Sequence, residues 1–348
     1  MAPNRPTALL TGPDVWRGPV LAASPQTWLR WFTGNELAAL DDAAARLLAT
    51  GWPKASLRST VTSPVVAALV GGVRDELLFG RGFTVLRGLP VDDAPARIAA
   101  RLWVLGLHLG KPVSQNARGH LLGHVYDLGY DAEDPTTRLY QTNLRQGFHT
   151  DSADVVALLC LRGAASGGRS SLASAATAWN ALFARAPELV DALFEPVAVD
   201  HRGEEPSGAR PWFETPVLSW LDDRLTVMYQ RRYIDSAARF PDAPRLDDRQ
   251  RAALDAFDAV LDDPELHLEM ELEPGDLQLC HNHQLLHDRT AFVDDPDPAR
   301  RRHLLRLWLC PPVGRRLPPT FVERCGSIEI GRRGGVVPRV APIIPLTP

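Results

Sequence analysis

Lysine is almost missing from this chain: of 38 basic residues only Lys54 and Lys111 are lysine, the others being arginine. The formal net charge is -4, so there is no basic surplus to neutralise a phosphate backbone, and nucleic acid is not expected as a partner. With alanine and proline equally abundant, the arginine excess as a whole reads as compositional bias. Cysteine is also scarce. Cys160, Cys280, Cys310 and Cys325 show no C-x-x-C spacing, and three of them lie in apolar, strand-like runs. That pattern excludes a disulfide framework and predicts reduced, buried thiols. No apolar run approaches the length needed to span a bilayer. Met1 to Pro13 lacks a charged segment followed by an apolar core, so no signal peptide is read there. These absences predict a cytoplasmic protein with no membrane partner.

What is present is ordinary for a globular protein: 45% hydrophobic and 23% charged residues in 348. The length suits one large domain with elaborations or two small ones. No internal repeat and no low-complexity linker interrupts it. The first part reads as helical. Trp28, Leu29, Trp31 and Phe32 would share one apolar face, and Leu37, Leu40, Ala44, Leu47 and Leu48 recur near the helical period. Pro64 to Leu78 and Ala94 to Leu109 predict two further helices, with Phe83 to Leu86 a strand between them. Ser114 to Tyr130 reads as a loop. His120 and His124 lie four apart, but Gly119 and Gly123 argue against the helix a second metal site would need. Thr136 to Asn143 reads as a strand and Asp154 to Leu161 as a buried one. Asp247 and Gln250 predict a capped helix whose stripe is Ala253, Leu254, Phe257, Val260 and Leu261.

The chemistry is concentrated in Phe148-His149-Thr150-Asp151. On extended backbone, residues i and i+2 face the same way, so His149 and Asp151 can offer a nitrogen and a carboxylate oxygen to one point. A third ligand from a distant strand would complete one face of an octahedron, the two-histidine, one-carboxylate arrangement of non-haem Fe(II) oxygenases. Asp154 falls on the opposite face and is the poorer carboxylate. Candidates for the third ligand are His281, His283 and His287. Farther on, period two puts Arg302, Leu304, Arg306 and Trp308 on one strand face. An inward guanidinium there is costly unless it meets an anion.

The order of Phe148-His149-Thr150-Asp151, Asn282-His283-Gln284-Leu285-Leu286-His287-Asp288-Arg289-Thr290-Ala291-Phe292 and Arg301-Arg302-His303-Leu304-Leu305-Arg306 resembles the TauD/TfdA-like Fe(II)/2-oxoglutarate dioxygenases, from about Gly82 to about Pro312. The resemblance implies an α+β fold with a mainly β core, a double-stranded β-helix (jelly-roll, cupin-like) barrel with flanking helices. It implies a helical N-terminal segment over 1–80, an oxygenase domain over 81–315 and a C-terminal extension over 316–348. It selects His287 as the third metal ligand. It assigns Arg302, in preference to Arg306, to the C5 carboxylate of 2-oxoglutarate, with Arg306 reaching the C1 carboxylate or an anionic substrate. Ser170, after Gly167-Gly168-Arg169, would stand where the family has threonine near the same carboxylate. Asn143 and Gln141 lie where relatives place polar contacts to cosubstrate or substrate, although bonds to nearby backbone serve equally well. Trp212 falls in a proline-rich stretch that would cover the substrate, and Tyr229 either faces substrate or ends a solvated strand.

The implied cofactors are Fe(II), 2-oxoglutarate as cosubstrate and O2. The implied activity is oxidative decarboxylation to succinate coupled to C–H oxidation, with hydroxylation favoured because Asp151 retains the carboxylate. The substrate would be a small, anionic or zwitterionic molecule. A protein side-chain hydroxylase or demethylase and a non-catalytic jelly-roll binding protein are the alternatives. The segment from Gly314 to Pro348 reads as a surface wrap or as a subunit contact that would make the chain a homo-oligomer.

Overall fold

The computed structural model describes residues 4–54, 61–134 and 136–348. Its helices begin where the sequence supplies caps. Thr33 and Glu36 form a reciprocal capping box at the start of Gly34–Ala49, and Ser63 caps Pro64–Phe79. Together with Pro95–Leu109 they bury one stripe each, including Leu40, Leu77 and Trp103, against Leu305, Leu307 and Leu309 of a large sheet. Asp247 and Gln250 form the second capping box, on Asp248–Leu261. That helix and Ala175–Arg185 cover a smaller sheet, with Phe257 and Trp179 in one cluster with Phe148, Ala173 and Leu286.

The large sheet runs in the order Leu29–Trp31, Phe83–Arg87, Leu277–His281, Val155–Arg162, His303–Cys310, Lys111–Pro112, and Leu122–Val125 also pairs with His303–Cys310. All its pairings are antiparallel except that of Leu29–Trp31 with Phe83–Arg87. The smaller sheet is antiparallel, ordered Leu268–Met270, Ser170–Ser174, Leu285–Arg289, Gln146–His149. Phe83, Val156 and Trp308 from the large sheet pack in one cluster with Leu172, Leu268 and Leu285 from the small one. Two facing sheets with helices outside are consistent with a jelly-roll core.

Three expectations about local structure fail. Leu29–Trp31 is a strand, because Pro25 starts only a short 3-10 turn and the chain then finds an open edge: Val85 N donates to Trp28 O at 2.9 Å. Thr136 to Asn143 is irregular apart from a 3-10 turn at Leu139–Gln141. Leu122–Val125, inside the segment read as a loop, is a strand held by the register Gly123 to Arg306. His124 there meets His303 at 2.7 Å. The four cysteines are free and buried, as expected. No helix among the described residues is long and apolar enough to cross a membrane.

Candidate metal centre and substrate chamber

The smaller sheet brings the distant histidine to the near one. His287 sits directly opposite His149 in the antiparallel register, with ring centroids 4.1 Å apart. Asp151 lies just past the strand end, where extended pairing continues through Thr150 N donating to Tyr229 O at 2.8 Å. The Asn282 side chain clamps the same turn, accepting from Asp151 N and donating to Asp151 O. His149 Nε2 is then 3.9 Å from Asp151 Oδ1, and His287 Nε2 is 3.8 Å from Asp151 Oδ2. The ligand atoms of all three side chains fall within 4.8 Å of one another.

The protonation states fit a cation. His149 Nδ1–H donates to Gly147 O at 2.9 Å, which leaves the Nε2 lone pair for the shared point. Gln146 Nε2 meets that lone pair at 2.8 Å. Burial pushes His287 down to about 3, with His149 beside it adding to the shift, and burial likewise lowers His149. Burial by itself would raise Asp151, but Arg306, then His287 and His149, hold its carboxyl well below the usual range. Two neutral imidazoles beside an ionised carboxylate that lines a chamber are a donor set that could hold a divalent metal on one face.

The competing residues lie elsewhere, and Asp154 and His283 are engaged with each other. Asp154 pairs with buried Arg333 through both oxygens and with His283 at 2.7 Å. His281 is buried against His283, ring centroids 5.4 Å apart.

Of the two arginines read from the strand period, Arg306 is the nearer to Asp151. Its Nη1 is 3.2 Å from Asp151 Oδ2, which also accepts from Trp308 Nε1 at 2.8 Å. Its Nε donates to Gln115 Oε1 at 2.7 Å. Arg302 is buried with Nη1 lacking any partner, its guanidinium carbon 5.2 Å from the Phe292 ring centroid. Burial lowers it to about 10. Gly168, at φ +72, lets the loop pass close by, since a Cβ there would stand 2.9 Å from Arg302 Nε. Ser170 Oγ bonds the side-chain amide of Gln278. Burial and Arg302 also depress Arg289, to about 9.

The remaining candidates are placed less centrally. Asn143 is exposed and offers its carbonyl to Phe292 N, while Gln141 offers its carbonyl to Leu128 N. Trp212 packs in a small cluster with Ala198, Ala237 and Ala243, and Arg210 lies 4.1 Å over its ring. Tyr229 lines the chamber, but its hydroxyl turns away to Asp258 Oδ1 at 2.5 Å.

The chamber opens beside Asp151 and is small, about 40 Å³. Val197, Val199 and Phe213 form its apolar wall, and Arg138, Arg232, Arg306 and Arg324 its charged one. Sequence patterning missed Arg138, Arg324 and Gln115. They come from irregular or short segments without periodicity, so only the long-range packing marks them.

Comparison with known proteins agrees with this geometry. The model of the family described as "Taurine catabolism dioxygenase TauD, TfdA family" matches residues 54–308. FR-33289 synthase of Streptomyces rubellomurinus is 34% identical over 320 residues, covering 90% of this chain and 93% of that protein. A uridine-5'-phosphate dioxygenase of an Amycolatopsis species is 28% identical over 250 residues, covering 68% and 86%. Among solved structures, an asparagine oxygenase in complex with Fe(II), 2S,3S-3-hydroxyasparagine and succinate superposes with TM-score 0.62 at 19% identity, over 81% of this chain and 93% of that one. The chain therefore belongs to the TauD, TfdA family and is a non-haem iron, 2-oxoglutarate-dependent dioxygenase.

Proposed function

We propose that His149, Asp151 and His287 hold the iron and that Arg302, with Ser170 nearby, takes the C5 carboxylate of 2-oxoglutarate. The enzyme would then hydroxylate a C–H bond of a small anionic substrate in the chamber. The observation that carries this is the meeting of three neutral-or-anionic donor side chains beside a pocket rich in guanidinium groups. Arg302 suits the cosubstrate role because it is buried and, among the described residues, has a free Nη1 and no ion-pair carboxylate. Asn143 and Gln141 have only their backbone contacts to recommend them, and Trp212 reads as packing.

Iron with 2-oxoglutarate supplies the oxidising chemistry, turning 2-oxoglutarate and O2 into succinate and carbon dioxide as the substrate is oxidised. The chain's own residues position and shield. Arg306 and Trp308 both bond Asp151 Oδ2, which fixes the carboxylate plane and leaves Oδ1 free to ligate. Gly147 O fixes the His149 tautomer. The apolar wall excludes water from the reacting centre. We read 81–315 as the oxygenase unit within a double-stranded β-helix, flanked by 1–80 and 316–348.

Succinate release from 2-oxoglutarate, measured with Fe(II) and a panel of small anions, tests the proposal. Wild-type protein should couple succinate to oxidised product, and His149→Ala should not. Succinate formation surviving intact in His149→Ala would remove the ligand assignment.

A further inference from the structure

The chamber carries more positive charge than its own carboxylates balance. Two of its four arginines have anionic partners: Arg306 has Asp151 at 3.2 Å, and Arg138 has Glu204. Arg232 donates to the carbonyl of Ala132 and forms no ion pair among the described residues. Arg324 has neither a hydrogen-bond nor an ion-pair partner among the described residues, and its guanidinium carbon lies 5.7 Å from the Phe213 ring centroid. Both side chains are partly shielded from water, being of intermediate exposure. Burial, and then the like charge of Arg138, lower Arg324 below its ordinary value. Guanidinium groups gathered in this way without anions are costly and gain most when an anion enters between them.

The two unmatched cations come from unrelated parts of the chain. Arg232 stands in the helix Arg231–Ser236, and Arg324 in the short helix Val322–Cys325, beyond the matched family region. We infer that Arg232 and Arg324 form a subsite for a dianionic tetrahedral oxyanion, so that the substrate carries a phosphate monoester or phosphonate group. The inference rests on the reading of this chamber as the substrate pocket. Two charges on the ligand match two unpaired charges on the wall, whereas a carboxylate or sulfonate leaves one cation unbalanced. Planar guanidinium forks approaching from two elements suit oxygens spread tetrahedrally around one atom. Arg138 is tied to Glu204 and is not counted.

Binding measured calorimetrically on the full chain loaded with Mn(II) and 2-oxoglutarate tests this, the cosubstrate filling the Arg302 site. The probes are methylphosphonate, methyl phosphate, methanesulfonate and acetate. The two dianions should bind about tenfold or more tighter than the two monoanions, and their relative order identifies which phosphorus group the site prefers. Arg324→Gln and Arg232→Gln should each erase that preference, Arg324→Lys should restore part of it, and Arg300→Gln, an exposed residue paired with Asp295, should leave it intact. Monoanions binding as well as dianions, or Arg324→Gln and Arg232→Gln keeping wild-type discrimination, would overturn the subsite while 2-oxoglutarate binding in the same samples keeps the oxygenase reading. Failure of 2-oxoglutarate itself to bind the metal-loaded protein overturns both.

Discussion

Asp151, just past the end of the small sheet's strand Gln146–His149, meets Arg306 at 3.2 Å, so the carboxylate of the candidate metal centre is oriented by a side chain of the large sheet. Arg306 reaches Asp151 with Nη1 while Nε is held by Gln115, a two-pronged contact that an ammonium group cannot copy. Arg306→Lys is therefore expected to fold and yet lose about a hundredfold in turnover through misplacement of Asp151. Succinate assays alongside circular dichroism check this, and near-normal kcat in the lysine variant would refute it.

Arg302 and Arg306 separate kinetically. Arg302→Ala removes a buried cation with a free Nη1, and its expected effect is a raised KM for 2-oxoglutarate. The loss corresponds to about 1.5–3 kcal/mol for a charge-assisted contact. An unchanged KM in Arg302→Ala, paired with a raised one in Arg306→Lys, would reverse the assignment.

Gly123 gives a test of the support beneath Arg306. A Cβ there would stand 2.4 Å from Gln115 Oε1, the atom that accepts from Arg306 Nε. Gly123→Ala should destabilise the fold by about 1–3 kcal/mol and lower turnover as well. Gly71→Ala, in a helix with nothing within 4 Å of the new methyl, should instead stabilise by roughly 0.5–1 kcal/mol. Urea titration of both variants measures the contrast, and equal midpoints would contradict it.

Acid should unfold the protein through its buried histidines. Burial lowers His303 to about 3 and His201 to about 4, and it also lowers His283 despite the opposing pull of Asp154. Because these folded-state values lie below the unfolded value near 6.5, the unfolded chain takes up protons first. Stability is therefore full above pH 6.5 and falls as pH drops from there toward 3. Thermal melts from pH 8 to pH 4.5 should show Tm declining below about 6.5, and a flat profile would be inconsistent with neutral buried imidazoles.

Metal binding should stabilise the fold, since the unfolded chain does not bring residues 149, 151 and 287 together. At a hundredfold excess over Kd the gain is about 2.7 kcal/mol. Mn(II) should raise Tm in the wild type and a chelator should reverse it. Asp151→Asn should show little response, and a full response in that variant would place the metal elsewhere.

Local rules were enough to read much of this protein. His149 and Asp151 share a face because extended backbone repeats every two residues, and the same period aligned Arg302, Leu304, Arg306 and Trp308. The caps at Asp247 and Gln250, and the buried free cysteines, were legible for equally local reasons. Leu29–Trp31 was misread because its conformation is set by an edge of Phe83–Arg87 more than fifty residues away, and a short apolar run has the same look in a helix or a strand.

Which distant histidine joins His149 was decided by register, since His281, His283 and His287 all lie within one short stretch and only pairing places His287 across from it. Apart from Arg306, the arginines of the chamber take their meaning from the tertiary structure. Arg138, Arg232 and Arg324 sit in segments with no repeating pattern, and only packing brings them to the wall of one chamber. The sequence by itself determined the donor types and the strand faces, because those follow from neighbours along the backbone. Only the fold decided which charges were left without a partner, because pairing depends on which segments meet in space.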